Sequence, residues 1–276
     1  MTRPAWIWWL LPLALYSGQA LAWGLATHLY FAQLLVWAVP LADPRLRRAV
    51  RRLPRLLLAG ACLPDLALVA GRTVAAFAHS HDWAFARGLL EQAKDDEERA
   101  LAVGYASHLF VDVVAHNHFV PAHEAMWLRL PVLTHAVAEW LMDAHLGRQL
   151  FAHPHAVLRA GAGPAAAFVA RHFGCSPAEA TRGVARLAGA TRLLYGSRFH
   201  RMLGAGARLL DRQVARRCDH YVAETSARLP EINRLLAGEV PNWRADQPCP
   251  ARTAYLAGLN CEILRGPLPL PPSLFG

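Results

Sequence analysis

The sequence contains no pair of cysteines at the C-x-x-C spacing. Its five cysteines, Cys62, Cys175, Cys218, Cys249 and Cys261, are scattered along the chain, which excludes a cysteine-based zinc site of the finger or ribbon type. An odd number leaves at least one thiol unpaired in a monomer. Cys62, in an apolar run, is the expected buried free thiol, and the other four leave room for one or two unassigned disulfides. No sustained alternation of apolar and polar residues occurs, so no sheet is expected. There is no internal repeat and no low-complexity linker. Acidic residues are few: 20 Asp and Glu against 29 Lys and Arg, a formal charge of +9. Such a balance suits nucleic acid, an anionic membrane surface or a phosphate ester, without choosing among them.

What is present favours helix. Of 276 residues, 54% are hydrophobic, enough for one large core. Ala, Leu and Arg dominate, and all three favour the α-helix. The expected fold is all-α, a single multi-helix domain over residues 23–276, with an extended, proline-rich tail from about residue 265. Helices are expected from Gly24 to Val39, from Asp43-Pro44 until Pro54 bends or ends it, from Trp83 to Ala93, from Asp95 to His118, and from Ala122 to Leu150. Further helices are expected from Thr181 to Leu194, after a start signal at Ser176-Pro177, and from Gln213 to Leu229. The segment Arg45 to Leu57 is basic and amphipathic. It reads either as a membrane-surface contact or as a packed helix with a solvated face.

Residues 1–22 read as a secretory signal. Arg3 gives the positive start, Trp6 to Tyr16 the apolar run, and Ala20-Leu21-Ala22 the cleavage site. The run is short for a membrane-spanning helix. Cleavage after Ala22 makes Trp23 the amino terminus of an exported, periplasmic or secreted chain. A free α-amino group with a pKa near 8 is a nitrogen ligand once deprotonated, and its own carbonyl completes a chelate. His28 lies five residues on.

The stretch Gly104 to His118 carries the chemistry. Within an apolar helix, His108 and Asp112 are four residues apart and so share a face. A buried Asp is costly unless paired, hydrogen-bonded or bound to a cation. His116 and His118 follow. His135 and Glu139 form a second pair at the same spacing, and Asp143 continues their face. Asp65 follows Pro64 on an expected loop, and His79 and His81 flank Ser80. His153, His155, His172, His200 and His220 are scattered and read as non-ligands. Imidazole with carboxylate suits Zn²⁺. The ordered donors Trp23, His28, Asp65, His79, His108, Asp112, His118, His135 and Glu139 exceed what one ion needs, so a multinuclear site is expected.

This ordered set resembles the zinc-dependent phospholipase C and S1/P1 nuclease superfamily. The resemblance rests on Trp23 with His28, Pro64-Asp65, His79, the group His108, Asp112 and His118, and the pair His135 and Glu139. It implies a phospholipase C/P1 nuclease-like all-α fold around a trinuclear zinc site. By resemblance, Asp65, His79, His108 and Asp112 bind one zinc. Trp23 and His28 bind a second, with Asp112 bridging, and His118, His135 and Glu139 bind the third. Asp65 would orient or deprotonate the attacking water. Helical spacing favours His116 over His118, whereas the family spacing favours His118. The spacing from Asp65 favours His79 over His81. Glu139 and the His79 spacing point to a phospholipase C acting on phospholipid. The close Trp23 to His28 spacing resembles the nuclease branch, whose substrate would be nucleic acid or a 3′-nucleotide. A third reading is a non-catalytic helical envelope protein. No protein partner is implied.

Overall fold

The computed structural model describes residues 24–70, 75–127 and 131–275. The expected signal segment and Trp23 lie outside the described residues. All regular structure among the described residues is helical. None of these helices is long and apolar enough to cross a membrane.

The centre of the molecule is the long helix α6, Asp96–Val114, and among the described residues five α-helices precede it: α1 Leu25–Trp37, α2 Pro44–Arg52, α3 Pro54–Gly60, α4 Leu66–Ala70 and α5 Trp83–Gln92. Asp95 caps the start of α6 by accepting from the Glu98 amide at 2.9 Å, and three acidic residues fill its first turn, where they favour the helix dipole. From Ala100 to Val114 every residue of α6 is buried. Helices α1, α2, α3 and α5 pack around it.

Two glycines set the closest crossing. A Cβ on Gly104 would lie 1.9 Å from the Leu57 carbonyl oxygen, and one on Gly60 would lie 2.1 Å from that of Leu101. The backbones of α3 and α6 therefore touch where only glycine fits. This contact brings the end of α3, and the single 3₁₀ turn Leu63–Asp65 beyond it, against the middle of α6. Asp65 was expected on a loop; it closes that turn instead and is buried.

After Val114 the chain makes one π-helical turn, Ala115–Phe119, and continues into α7, Val120–Met126. Pro121 does not break the pattern, because it falls in the first turn of α7, where its missing N–H costs nothing. The expected helix from Ala122 to Leu150 is thus two pieces, α7 and α8, Pro131–Leu146. The carboxyl-terminal half adds α9 Pro154–Ala160, α10 Ala162–His172, α11 Pro177–Gly196, α12 Phe199–Leu210, α13 Val214–Arg228, α14 Ile232–Leu236, α15 Pro250–Ala257 and α16 Cys261–Arg265. Ser176 and Glu179 form a complete capping box at the start of α11.

Beyond α16 the chain is extended along α13 and α14. Arg228 donates to the Pro271 carbonyl at 2.8 Å, Glu231 accepts from the Ser273 hydroxyl at 2.7 Å, and Phe275 stacks on Phe110. All five cysteines are free thiols, so no disulfide forms. Helix α2 buries Leu46, Ala49 and Val50, while Arg48 and Arg52 face Asp96. Its apolar positions are used by the core, which leaves only its arginines for any membrane contact.

Candidate metal centre

Asp112 sits at the core of α6 with no solvent exposure. Four imidazole nitrogens converge on its carboxylate. His28 Nε2, from the first turns of α1, is 3.2 Å from Oδ1, and His108 Nε2, one turn earlier on α6, is 3.0 Å from Oδ2. His81 Nε2 is 3.5 Å from Oδ2, and His116 Nε2 is 3.8 Å from Oδ1. The His28 and His108 rings stack at 3.6 Å. Asp65 Oδ1 approaches His108 Nε2 at 3.7 Å from the other side. A third arrangement lies one step along, where His135 Nε2 is 3.0 Å from Glu139 Oε1 and the His116 ring is 5.3 Å from that of His135.

Three groups of donor atoms result, each within 4.8 Å internally: His28, His108 and Asp112; Asp65, His81 and His108; and His116, His135 and Glu139. Their electrostatics call for cations. His108 Nδ1 bonds the Ala61 carbonyl at 2.8 Å, so Nδ1 is the donor and, in the neutral ring, Nε2 turns its lone pair toward the carboxylates. Ser80 Oγ stands 3.1 Å from His81 Nδ1, and burial holds His81 down at about 4 against the attraction of Asp112. Burial likewise takes His116 down to about 3. Burial thus leaves His81 and His116 with no positive charge to offset the buried carboxylates beside them. Neither Asp112 oxygen makes a hydrogen bond, nor do Asp65 Oδ1, His28 Nε2, His81 Nε2 and His108 Nε2. Buried polar atoms are rarely left so, and a divalent cation within each group would satisfy them. The all-nitrogen-and-oxygen donor set fits Zn²⁺.

The two carboxylates differ. Burial pushes Asp112 up, but His108 and His28 outweigh it and hold the group well below the usual range. Burial pushes Asp65 up to about 7; His108 opposes this, while the charges of Asp112, Glu139 and Asp143 add to it.

Of the expected residues, His28, Asp65, His108, Asp112, His135 and Glu139 come together in these groups. Two expectations are corrected. His79 stands away from the cluster: its side chain is 78% exposed and pairs with Asp82 at 3.0 Å. His81 takes its place, because the turn after Phe77 carries Ser80 and His81 inward, and Tyr105 donates to the Ser80 carbonyl. His118 is buried but faces Trp243, with ring centroids 5.1 Å apart. Six residues beyond Asp112, it falls on the far side of the helix, and the π turn leaves it there, whereas His116 at four residues keeps the face of Asp112. The helical rule points to His116, and the structure sets that ring beside His135. No local signal separates His81 from His79. None of the five scattered histidines belongs to the three groups.

Asp143 serves a different purpose. It accepts from the Thr27 amide at 2.9 Å, from the Thr27 hydroxyl at 2.8 Å and from the Tyr195 hydroxyl. Tyr195 in turn accepts from the Ala26 amide at 3.0 Å. The start of α1, and with it His28, is thereby tied to α8 and α11. A hollow of about 200 Å³ lined by His81, Trp83, Arg244 and Asp246 opens beside the His81 side of the cluster.

A helical fold that gathers three neighbouring histidine–carboxylate groups, two of them fully buried, has the build of a multinuclear metallohydrolase. A family model described as zinc-dependent phospholipase C matches residues 27–163. The chain belongs to the zinc-dependent phospholipase C family and is a zinc-dependent hydrolase. All eight residues of the three groups fall within the matched span. Comparison with curated proteins and with solved structures gives no match.

Proposed function

We propose that this chain hydrolyses phospholipid at the centre around Asp112, cutting the bond between phosphorus and the glycerol oxygen to leave diacylglycerol and a phosphorylated head group. Phospholipase C activity is that of its family. The observation that carries the site assignment is the convergence of His28, His81, His108 and His116 on one buried carboxylate whose oxygens make no hydrogen bond. His28 with Asp112 would hold one zinc, Asp65, His81 and His108 with Asp112 a second, and His116, His135 and Glu139 a third. Zinc bound there supplies Lewis acidity, lowering the pKa of water and offsetting charge on the phosphate and the leaving oxygen.

The chain's own residues divide the remaining work. Asp112 stays ionised and holds the two neighbouring groups in register. Asp65, whose Oδ1 lies 3.7 Å from His108 Nε2 at the edge of the paired groups, orients the attacking water and takes its proton. The water oxygen bonds to phosphorus as the phosphorus–glycerol oxygen bond breaks, and the proton that Asp65 took is passed on to the leaving glycerol oxygen. Ser80, Tyr105 and the Ala61 carbonyl fix the rings of His81 and His108 so that their Nε2 atoms stay aimed inward.

The reading includes removal of residues 1–22 on export, leaving Trp23 as a further ligand beside His28. The tie between Asp143 and the start of α1 supports it: a Cβ on Gly24 would lie 2.0 Å from Asp143 Oδ2, so the chain at residue 24 is held close against the protein. Intact mass of the exported protein checks the cleavage, and retention of residues 1–22 in the active form would refute it.

The deciding experiment is hydrolysis of phosphatidylcholine and of single-stranded DNA in parallel, with and without chelator, alongside zinc analysis. Chelator-sensitive release of phosphocholine with about one zinc per group is expected. Cleavage of DNA without lipid hydrolysis moves the substrate to the nuclease branch. A chain free of zinc and inactive on both refutes the site.

A further inference from the structure

Helix α12 is unlike the other helices in what it leaves uncovered. It buries Phe199, His200, Gly204 and Ala207. At its end, Leu209 and Leu210 are 83% and 92% exposed, and Met202 is 52% exposed. At 100° per residue, Met202 and Leu209 fall on one stripe away from the buried side, while Leu210, the last residue of the helix, falls nearer that side yet is exposed. With Leu133 and Val137 of α8 and Trp127 they line an apolar groove of about 690 Å³. Adjacent large apolar side chains left this open mark a binding surface rather than ordinary surface scatter.

Arginines dominate the charge around the groove. Arg201 and Arg208 form the neighbouring stripe of α12 and, with Arg148, line a second hollow of about 450 Å³. Arg212 and Arg265 border the apolar groove itself. The acid at its edge, Asp211, is bound by Arg217 and by the Trp127 indole, so it does not cancel them. An apolar strip bordered by guanidinium groups matches the section through a bilayer surface, with acyl chains below and phosphates at the rim. It also sits on elements that carry the site: α8 presents Leu133 and Val137 to the groove and His135 and Glu139 to the metal centre.

We propose that the exposed strip of α12, with the groove against α8, docks this chain on the surface of a phospholipid bilayer containing anionic lipid. The proposal rests on the phospholipase reading for its purpose. Leu209 and Leu210 enter the interface between head groups and acyl chains, and Arg201, Arg208 and Arg212 meet lipid phosphates. The basic segment of α2 takes no part in the apolar contact, because its apolar face is buried.

The test compares the zinc-loaded mature chain with the double variant Leu209→Asp, Leu210→Asp. Both leucines are exposed, so the variant keeps its fold. Co-sedimentation with phosphatidylcholine vesicles containing phosphatidylglycerol is measured, together with hydrolysis of the same vesicles and of a short-chain phosphatidylcholine dissolved as monomer. The variant is expected to bind vesicles at least about tenfold more weakly, given the transfer free energy of two leucines, and to hydrolyse them correspondingly slowly. Its turnover of the monomeric lipid should be unchanged, and raising the salt should weaken wild-type binding. Vesicle binding equal in variant and wild type overturns the proposal, as does a wild type that does not bind. A variant that changes oligomeric state in solution while binding vesicles normally assigns the strip to a subunit contact and also overturns it. A wild type that binds vesicles but hydrolyses neither lipid removes the phospholipase reading and leaves the docking surface standing.

Discussion

His108 bonds the Ala61 carbonyl through Nδ1 at 2.8 Å and presents Nε2 to Asp112 Oδ2 at 3.0 Å. One side chain thus joins the end of α3 to the buried carboxylate of α6, and the close crossing of those helices fixes its tautomer. His28 and His81, from two different donor groups, approach the two oxygens of Asp112 at 3.2 and 3.5 Å, so both groups are expected to draw on that carboxylate. Asp112→Asn keeps the volume and removes the charge. It is expected to release zinc from both groups and to lower activity by more than the roughly 10–100-fold typical of losing an outer-shell partner of a metal ligand. Zinc content and turnover on the same preparation check this; full zinc occupancy in the variant would exclude the bridging role.

Paired alanine variants separate the neighbouring histidines. His81→Ala and His116→Ala should each lose zinc and activity. His79→Ala should behave as wild type, because that ring is exposed and meets only Asp82. His118→Ala removes a buried ring beside Trp243, so it should cost stability, about 1–3 kcal/mol, while zinc content holds. Loss of zinc in His79→Ala or His118→Ala, with His81→Ala or His116→Ala unaffected, would reverse the assignment.

Much of this centre was legible because helical spacing is a strong rule. His108 with Asp112 and His135 with Glu139 are i, i+4 pairs on continuous helices, and the structure keeps them on one face. The same rule points to His116; the family spacing pointed to His118, and the helix carries that residue away. His81 sits where no periodicity operates, in a turn whose direction depends on the Tyr105 bond to Ser80, a contact between positions distant in the chain. The same limit applied to Asp143, which continues the face of Glu139 by spacing yet is claimed by Thr27 and Tyr195. The exposed strip of α12 left no sequence signal either, since its leucines look like core until the packing of the described residues leaves them exposed.

Gly104→Ala tests the helix crossing. The new methyl would meet the Leu57 carbonyl oxygen at 1.9 Å, so α3 and α6 must separate. Overpacking of this kind costs about 1–3 kcal/mol, and more where backbone must move. Chemical denaturation should show at least that loss. Because Ala61 moves with α3, zinc should also be held less tightly. A variant of wild-type stability would mean the two helices are less closely packed than described.

The pH dependence of stability has a defined sign. Burial takes His123 down to about 3, aided by Arg217. Its ordinary value is 6.5, so between about pH 6 and pH 3 the unfolded chain carries a proton that the folded ring does not. Stability contributed by the neutral ring is present above 6.5 and falls as pH drops, at up to ~1.4 kcal/mol per unit for one proton. His123→Gln should flatten the slope of unfolding free energy against pH by about one proton near pH 5, whatever its effect at neutral pH. An unchanged slope would show that His123 is not held neutral.

Tyr195→Phe tests how His28 is positioned. The hydroxyl donates to Asp143 and accepts from the Ala26 amide. Its removal leaves an amide of the first turn of α1 without that partner and takes one of three donors from a buried carboxylate. The cost of leaving such groups unpaired is about 1–3 kcal/mol. A purely structural effect would lower stability and leave metal binding as it was. If the pair positions His28, chelator competition should show one class of zinc released roughly 10–100-fold more readily, as for loss of an outer-shell partner, with the remaining zinc unchanged. His28 belongs to only one of the three groups, so the loosened zinc should be the one that His28 holds. Equal loosening of all the zinc would point to general destabilisation and remove the positioning role from Tyr195 and Asp143.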